Sequence, residues 1–518
     1  MEPNSEQRDI VRASRTSRTM VVDALAGTGK TSTLELVGGA NPYTQFLYVA
    51  FNRAVKDEAE ARFPGNVRCK TSHGMVFMQY GKRYGHRLNA PRVPSRRAAS
   101  ILGLRDVRAE FCVSCNEATQ DGYTWAAAEV DAGRGSDWHL STDAEQPKSH
   151  QGHAVMAETL EPVTVANLVM RTVDRFCHSA DRKMTTWHVP FAKGVDPRLM
   201  PAIRQAVLPH AQDAWTDMLQ ANGQLRFSHD VYLKMAQLDG WRCKEGTVLL
   251  DEAQDTNPCL SSMFKNMTGK RLFLVGDPNQ AIYEWRGAKD AMEEFETETR
   301  LSLTGSYRFG PAIAEEANLW LGMLGTDLRL RGWKKRDSHV VERIEDPDAI
   351  LTRSNAGAIV ETMEQLERGK KVAIVGGGKD IEALARAAQD LQAGRKSDHP
   401  ELVVFESWTD VQRYCKEEPE DAGTLVPLVR AIDSHGPQAI MAMTRQLVDE
   451  SNADVTVSTA HKAKGRQWGK VRIGGDFPPP KEGEPQEKEE LRLAYVAVTR
   501  AMFELDKGSL DYATGVAA

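Results

Sequence analysis

No apolar run in the 518 residues approaches the ~18–20 needed to cross a bilayer, and no charged-then-apolar leader opens the chain. Cysteine is scarce. The seven present (Cys69, Cys112, Cys115, Cys177, Cys243, Cys259 and Cys415) are an odd number in a long chain, which does not make a disulfide framework and fits a reducing, cytoplasmic setting. Positive charge is not in excess either: 66 Lys and Arg against 72 Asp and Glu leave a net −6, so the bulk charge does not announce a polyanionic partner. A local groove can still be basic on an acidic protein, and clusters stand at Arg92, Arg96 and Arg97 and at Arg329, Arg331, Lys334, Lys335 and Arg336. Repeats at solenoid periods are also missing. What remains is ordinary globular composition, 41% hydrophobic and 27% charged, with length for three or four domains, or two carrying insertions.

Short apolar runs at Met20–Val22, Phe46–Ala50, Thr247–Leu250, Arg271–Val275 and Val372–Val375 read as buried parallel strands, and Val455–Ser458 and Val471–Ile473 read the same way. Helical patterns lie between them, so the expected class is α/β, with ligands at the carboxyl ends of the strands. Residues 81–160 and 379–445 break the alternation and read as insertions. Pro478 to Glu490 is expected to be an exposed loop.

The most specific chemistry follows the first run, in Ala24-Leu-Ala26-Gly27-Thr28-Gly29-Lys30-Thr31-Ser32. Glycines there let the backbone curl so that several N–H groups point at one anion, and the helix that follows adds its positive end. Lys30 is placed to reach the β- and γ-phosphates of a nucleotide, and the Thr31 hydroxyl to complete a Mg²⁺ shell. Ala24 stands where the pattern usually has glycine. A second element supports the first: the strand at Thr247–Leu250 runs into Asp251 and Glu252, one carboxylate for the metal and one to polarise an attacking water. In Asp277-Pro-Asn-Gln280-Ala-Ile-Tyr283-Glu-Trp285-Arg286, a strand-end glutamine can sense the γ-phosphate. Tyr283 and Trp285 offer faces for stacking bases, or belong to the core, the better reading for aromatics taken alone.

This ordered set resembles the superfamily 1 DNA helicases of the UvrD/Rep type. Gln7 matches that family's N-terminal glutamine motif; Ala50-Phe51-Asn52-Arg53 and Thr71-Ser-His73-Gly match its single-strand-binding segments. Ser306-Tyr307-Arg308, Ile350-Leu-Thr-Arg353-Ser-Asn355, Ser458-Thr-Ala-His461-Lys-Ala-Lys464-Gly465 and Tyr495-Val-Ala-Val-Thr499-Arg500 complete it. The resemblance implies two RecA-like parallel-sheet P-loop domains, residues 1–80 with 161–295 and 296–378 with 446–518, each with an inserted, mainly helical subdomain, 81–160 and 379–445. It implies ATP and Mg²⁺ as cofactors. The nucleotide would lie on Gln7, the loop from Ala26 to Ser32, Tyr307, Gly465 and Gln467, with the metal on Thr31 and Asp251. Catalysis would fall to Lys30, Asp251, Glu252, Gln280, Arg308 and Arg500, and DNA contact to Phe51, Asn52, Arg53, Thr71, His73, Tyr283, Trp285, Arg286, Arg353 and His461.

The implied activity is ATP-driven, 3′→5′ travel on single-stranded DNA with strand separation, in replication, repair or recombination. Expected partners are single-stranded DNA and single/double-strand junctions, together with single-strand-binding or recombinase proteins, and no membrane. Two rivals are a translocase that strips recombination proteins while unwinding weakly, and a non-hydrolysing nucleotide-gated DNA-binding module. Trp187-His-Val-Pro190 and Glu417-Glu-Pro-Glu-Asp421 are most similar to the F-box DNA helicase branch; with six residues before Gln7 and 18 after Arg500, a bacterial or phage relative without an F-box or fused nuclease is expected. Two departures stand out. Gln467 replaces the family's ribose-binding glutamate, and Ser32 replaces an arginine that covers adenine. Finally, Cys112-Val-Ser-Cys115 with His150 and His153 has zinc-ligand spacing, but the 34-residue gap and the want of a second cysteine pair favour buried thiols and loop histidines.

Overall fold

The computed structural model describes residues 2–112, 138–141, 155–282 and 291–515, apart from positions 89, 91–92, 94, 193, 268, 400, 404, 418–421, 423–424 and 481–485. The chain divides into two compact units: Met1–Met75 with Gly240–Gln389 and Ala422–Ala518, and Val76–Asp239 with Asp390–Asp421.

The first unit holds β1 (Thr19–Ala24), β2 (Phe46–Ala50) and β3 (Val67–Thr71); the second holds β4 (Val107–Cys112), β5 (Trp138–Ser141) and β6 (Val155–Leu160), an antiparallel sheet in the order β5-β4-β6. Back in the first unit, β7 (Thr247–Asp251), β8 (Arg271–Gly276) and β9 (Thr299–Leu303) complete a six-stranded sheet ordered β3-β2-β7-β8-β1-β9, parallel throughout. A second six-stranded parallel sheet, β10-β15-β14-β11-β13-β12, is built from β10 (His339–Val341), β11 (Ala349–Thr352), β12 (Val372–Ile374), β13 (Val455–Thr459), β14 (Trp468–Ile473) and β15 (Ala501–Asp506). Strands such as β2 and β7 are buried along their whole length, as a sheet covered on both faces requires. β1 is an inner strand, next to the edge strand β9, with Val21 beside Leu274 and Val22 beside Leu301, so the chain leaves it at the sheet's carboxyl edge between β8 and β9. Leu25 and Ala26, just past β1, are buried in one apolar cluster with Phe309, Tyr495 and Val498.

Three expectations need correction. Residues 161–239 do not join the first sheet: helices Pro162–His178, Met200–Leu219 and His229–Leu238 cluster with residues 76–160. The cause is the apolar face of Pro162–His178 (Val165, Leu168, Val169, Val173, Phe176), which is buried against neighbouring helices. The second insertion is divided, 390–421 grouping with the second unit and 379–389 and 422–445 with the first. Lys488, Glu489 and Glu490 open helix Lys488–Val498 and are not loop. Among the described residues, no helix is long and apolar enough to cross a membrane.

Candidate nucleotide site

Beyond β1 the backbone turns through Gly27 and Gly29, both left-handed at φ 73° and 80°. A Cβ on Gly27 would lie 2.5 Å from Ser306 Oγ and 2.6 Å from Arg308 Cβ, so only glycine lets the loop press against that segment. Gly29 begins helix Lys30–Ala40 and offers no side-chain cap, and the first turn carries no acidic residue. Among the described residues its leading N–H groups therefore have no capping side chain, which leaves a cradle for an anion.

Beside the cradle, the carboxyl end of β7 delivers Asp251, nearly fully buried. Its Oδ2 accepts from Thr31 Oγ1 at 2.9 Å and from Tyr48 OH at 2.7 Å. Burial and the neighbouring Glu252 raise the Asp251 pKa, against the opposing pull of Tyr48, Lys30 and Thr31. Glu252 is, among the described residues, the one non-glycine with positive φ, at 50°. Its Oε1 lies 3.5 Å from Lys30 Nζ, and its Oε2 accepts from Gln254 Nε2 at 2.7 Å. Burial disfavours its charge, but Lys30, Lys464 and Gln254 outweigh burial and hold it at about 2. A hydroxyl and a carboxylate side by side are hard oxygen donors and fit a hard cation that takes the rest of its shell from water and phosphate.

The far wall comes from the second sheet's side. Arg500, buried at the head of β15, donates from Nη2 to Gln280 Oε1 at 3.2 Å, and Gln280 Nε2 donates to Asp277 Oδ2 at 2.7 Å. Burial, then the proximity of Arg308, lower the Arg500 pKa to about 9. Arg308 donates to Gln467 Oε1 and to the Thr499 carbonyl, each at 3.0 Å. Tyr495 OH donates to Asp277 Oδ2 and accepts from the Ala26 N–H, both at 3.1 Å. Lys464 Nζ lies 2.5 Å from Asp255 Oδ2 and also donates to the Gln280 carbonyl. Burial lifts Asp255 to about 6, even with Lys464 opposing.

On the open side, Asn4 and Gln7 form a capping box on helix Ser5–Ala13, and Gln7 Nε2 donates to Thr33 Oγ1 at 3.1 Å. Tyr307 OH accepts from Asn4 Nδ2 at 3.2 Å, and the Tyr307 N–H donates to the Gly27 carbonyl. Trp333 meets the Tyr307 ring edge-on at 6.2 Å. Arg62 reaches across to Ser32 Oγ at 2.9 Å. Gly465 and Gln467 are exposed.

The residues expected to touch DNA are less uniform. Phe51 is 43% exposed at the end of β2. Asn52 caps helix Arg53–Arg62 by accepting from Val55 N–H, and Arg53 is exposed, 3.7 Å from Asp57. Thr71 Oγ1 accepts from Gly74 N–H; His73 and His461 are half-buried. Arg353 is held by both carboxylate oxygens of Glu490 at 2.6–2.9 Å. Tyr283, Trp285 and Arg286 lie outside the described residues, as do Cys115, His150, His153 and the side chain of Cys112. Sequence reasoning gave no role to Tyr48, Asp277, Trp333, Tyr495 or the Lys464–Asp255 pair; Asp277, which follows an apolar strand as Asp251 ends one, carried the clearest signal.

Comparison with known proteins fits this geometry. Residues 211–299 match the UvrD/REP helicase N-terminal domain and residues 379–506 the UvrD-like helicase C-terminal domain. F-box DNA helicase protein 1 of Schizosaccharomyces pombe is 26% identical over 99% of this chain and 60% of its own length. F-box DNA helicase 1 of Gallus gallus is 24% identical over 96% and 48%. The RecBCD enzyme subunit RecB of Chlamydia pneumoniae is 35% identical over 19% of this chain and 11% of its own. The chain thus spans roughly half the length of the F-box relatives.

Proposed function

We propose an ATP-driven motor on single-stranded DNA, from the premise that the chain belongs to the UvrD/Rep-type helicases of superfamily 1. The observation that carries the reading is the set of hydrogen bonds from the second sheet's side to the first sheet's carboxyl edge, Arg500 to Gln280 and Lys464 to Asp255, around Lys30 and Glu252. ATP is the substrate this set suits. The loop N–H groups and Lys30 hold its phosphates, and Glu252, kept ionised by the two lysines, accepts a proton from the attacking water. Thr31 and Asp251 are the residues that would hold Mg²⁺, which supplies charge neutralisation at the phosphates. Arg308 and Arg500 are placed to stabilise charge on the transferred group. Because they ride with the second sheet, contacts made only in the nucleotide-bound state would shift the two sheets relative to one another and couple hydrolysis to movement.

Base contact is assigned to Phe51 and, by motif, to Tyr283 and Trp285, where stacking is tolerant of sequence. Direction 3′→5′, junction unwinding, and work in repair or recombination against strand-coating proteins complete the proposal. The test is ATP hydrolysis with and without single-stranded DNA at fixed salt, for the wild type, Lys30→Ala and Glu252→Gln. DNA-stimulated hydrolysis, lost with Lys30→Ala and cut about 10²–10⁴-fold in Glu252→Gln while nucleotide still binds, is expected. Hydrolysis indifferent to DNA would sink the motor reading.

A further inference from the structure

The second unit carries a basic aromatic patch at Trp187, remote in sequence from the residues of the nucleotide site. Trp187 is 60% exposed, yet it sits on a rigid support. The single turn Thr186–His188 is closed by Thr185 and the buried His188, each side chain taking the other's backbone. His188 Nε2 is 3.2 Å from Ser179 Oγ and 3.1 Å from Asp181 Oδ2, and its ring meets Phe176 edge-on at 5.3 Å. Val189 and Pro190 behind it are buried. An indole held out on so fixed a turn gives up little conformational freedom when something stacks on it.

One guanidinium is set against that indole, and a second, flanked by a third, lies near the first. The Arg204 guanidinium, from helix Met200–Leu219, stands 5.8 Å from the Trp187 ring centre, and its buried Nε has no hydrogen-bond partner. Arg171 and Arg175 are one helical turn apart on the exposed side of Pro162–His178, which packs on Met200–Leu219. Among the described residues, neither makes a hydrogen bond or ion pair. Arg175 is lowered by burial and then by the repulsion of Arg204 and Arg171, with no carboxylate offsetting it. Asp174 draws on Arg171, together with His178 and Arg226. Three neighbouring guanidiniums, two of them without an acidic partner among the described residues, cost repulsion that a bound polyanion relieves.

We propose that Trp187, Arg171, Arg175 and Arg204 form a single-strand nucleic-acid contact in the second unit, a base stacking on Trp187 and the flanking phosphates lying on the three arginines. The inference rests on the single-stranded DNA reading above for the identity of the polyanion. Guanidinium suits phosphate by its planar fork of donors, and an indole face accepts any base.

The test is fluorescence anisotropy of a labelled 20-nucleotide oligo-dT on the full chain, titrated across salt, for the wild type, Trp187→Ala, Trp187→Phe and Arg175→Gln. Both positions are exposed, and thermal melting checks the fold of each variant. Trp187→Ala should bind about tenfold more weakly, Trp187→Phe should recover most of the loss, and Arg175→Gln should flatten the slope of log K against log salt by ~0.7. Wild-type affinity and slope in Trp187→Ala and Arg175→Gln would overturn the patch alone. A loss seen on blunt duplex but not on oligo-dT would overturn the stacking role. A wild-type chain that does not bind oligo-dT at all would overturn the proposed function together with the patch.

Discussion

Arg500 and Gln280 are joined by a 3.2 Å hydrogen bond, and through Gln280 the link continues to Asp277 and so to Tyr495 and the Ala26 N–H. The circuit ties a side chain at the head of β15 to the backbone of the glycine loop that follows β1, with every member buried. A buried guanidinium needs acceptors; here they are two carbonyls, a hydroxyl and the Gln280 amide oxygen.

Arg500→Ala should therefore act on the chemical step. The arginine would meet charge that grows in the transition state, so kcat for ATP should fall by about 10³ with KM changing only a few-fold. Gln280→Ala keeps the arginine but removes its guide and should cost less. Steady-state kinetics of both variants, with melting curves to check the fold, test this; equal losses in KM and none in kcat would contradict it.

The Lys464–Asp255 pair gives a pH prediction with a definite sign. Asp255 sits at about 6 in the fold, above the ~3.9 of an unfolded chain. Between those values the native state holds a proton that the unfolded state has released, so this group's contribution to stability is full at low pH and is lost as pH rises through about 6. Asp255→Asn carries no such group. Denaturant unfolding should show the variant gaining on the wild type from about pH 4 to about pH 6 and the difference levelling above. A difference that moves the other way would mean that Lys464 holds Asp255 ionised well below 6.

Much of this was legible in the sequence, and for a physical reason. Strands of covered parallel sheets must be apolar throughout, so β1, β2, β7 and β8 announce themselves, and left-handed Gly27 and Gly29 mark the loop between β1 and its helix. The insertion boundaries were not legible. Helical periodicity in Pro162–His178 shows that a face is buried but not against what. Arg353 shows the same limit. By motif it faces DNA, but its guanidinium is taken by Glu490, 137 residues on, from a stretch that read as loop. Trp333 beside Tyr307 depends on a turn with no local signature.

Gly27 and Gly29 share a backbone conformation and should respond differently to alanine. Both substitutions incur the left-handed penalty, of order 1–3 kcal/mol. Gly27→Ala adds a collision with Ser306 Oγ and Arg308 Cβ at 2.5–2.6 Å, whereas at Gly29 the nearest atom, Gln7 Nε2, is an ordinary 3.6 Å away. Isothermal titration with a non-hydrolysable nucleotide should find binding lost in Gly27→Ala and only weakened in Gly29→Ala. Equal effects would mean that strain alone decides.

Gln467 stands where the resemblance to superfamily 1 helicases implies a glutamate, and its amide oxygen accepts from Arg308 Nε at 3.0 Å. The bond is to a neutral acceptor on an exposed side chain, and the other Arg308 contact is a backbone carbonyl. Arg308 can leave both at low cost when a phosphate arrives. A carboxylate at 467 would make the bond charge-assisted, roughly twice as strong, and would also draw on the ribose hydroxyls. Gln467→Glu should thus tighten nucleotide binding in the ground state while retaining Arg308 away from the phosphate, lowering KM and kcat together by a few-fold. Stopped-flow nucleotide binding beside steady-state hydrolysis separates the two effects. If kcat rose while KM fell, the Arg308–Gln467 bond would not be one that hydrolysis has to break.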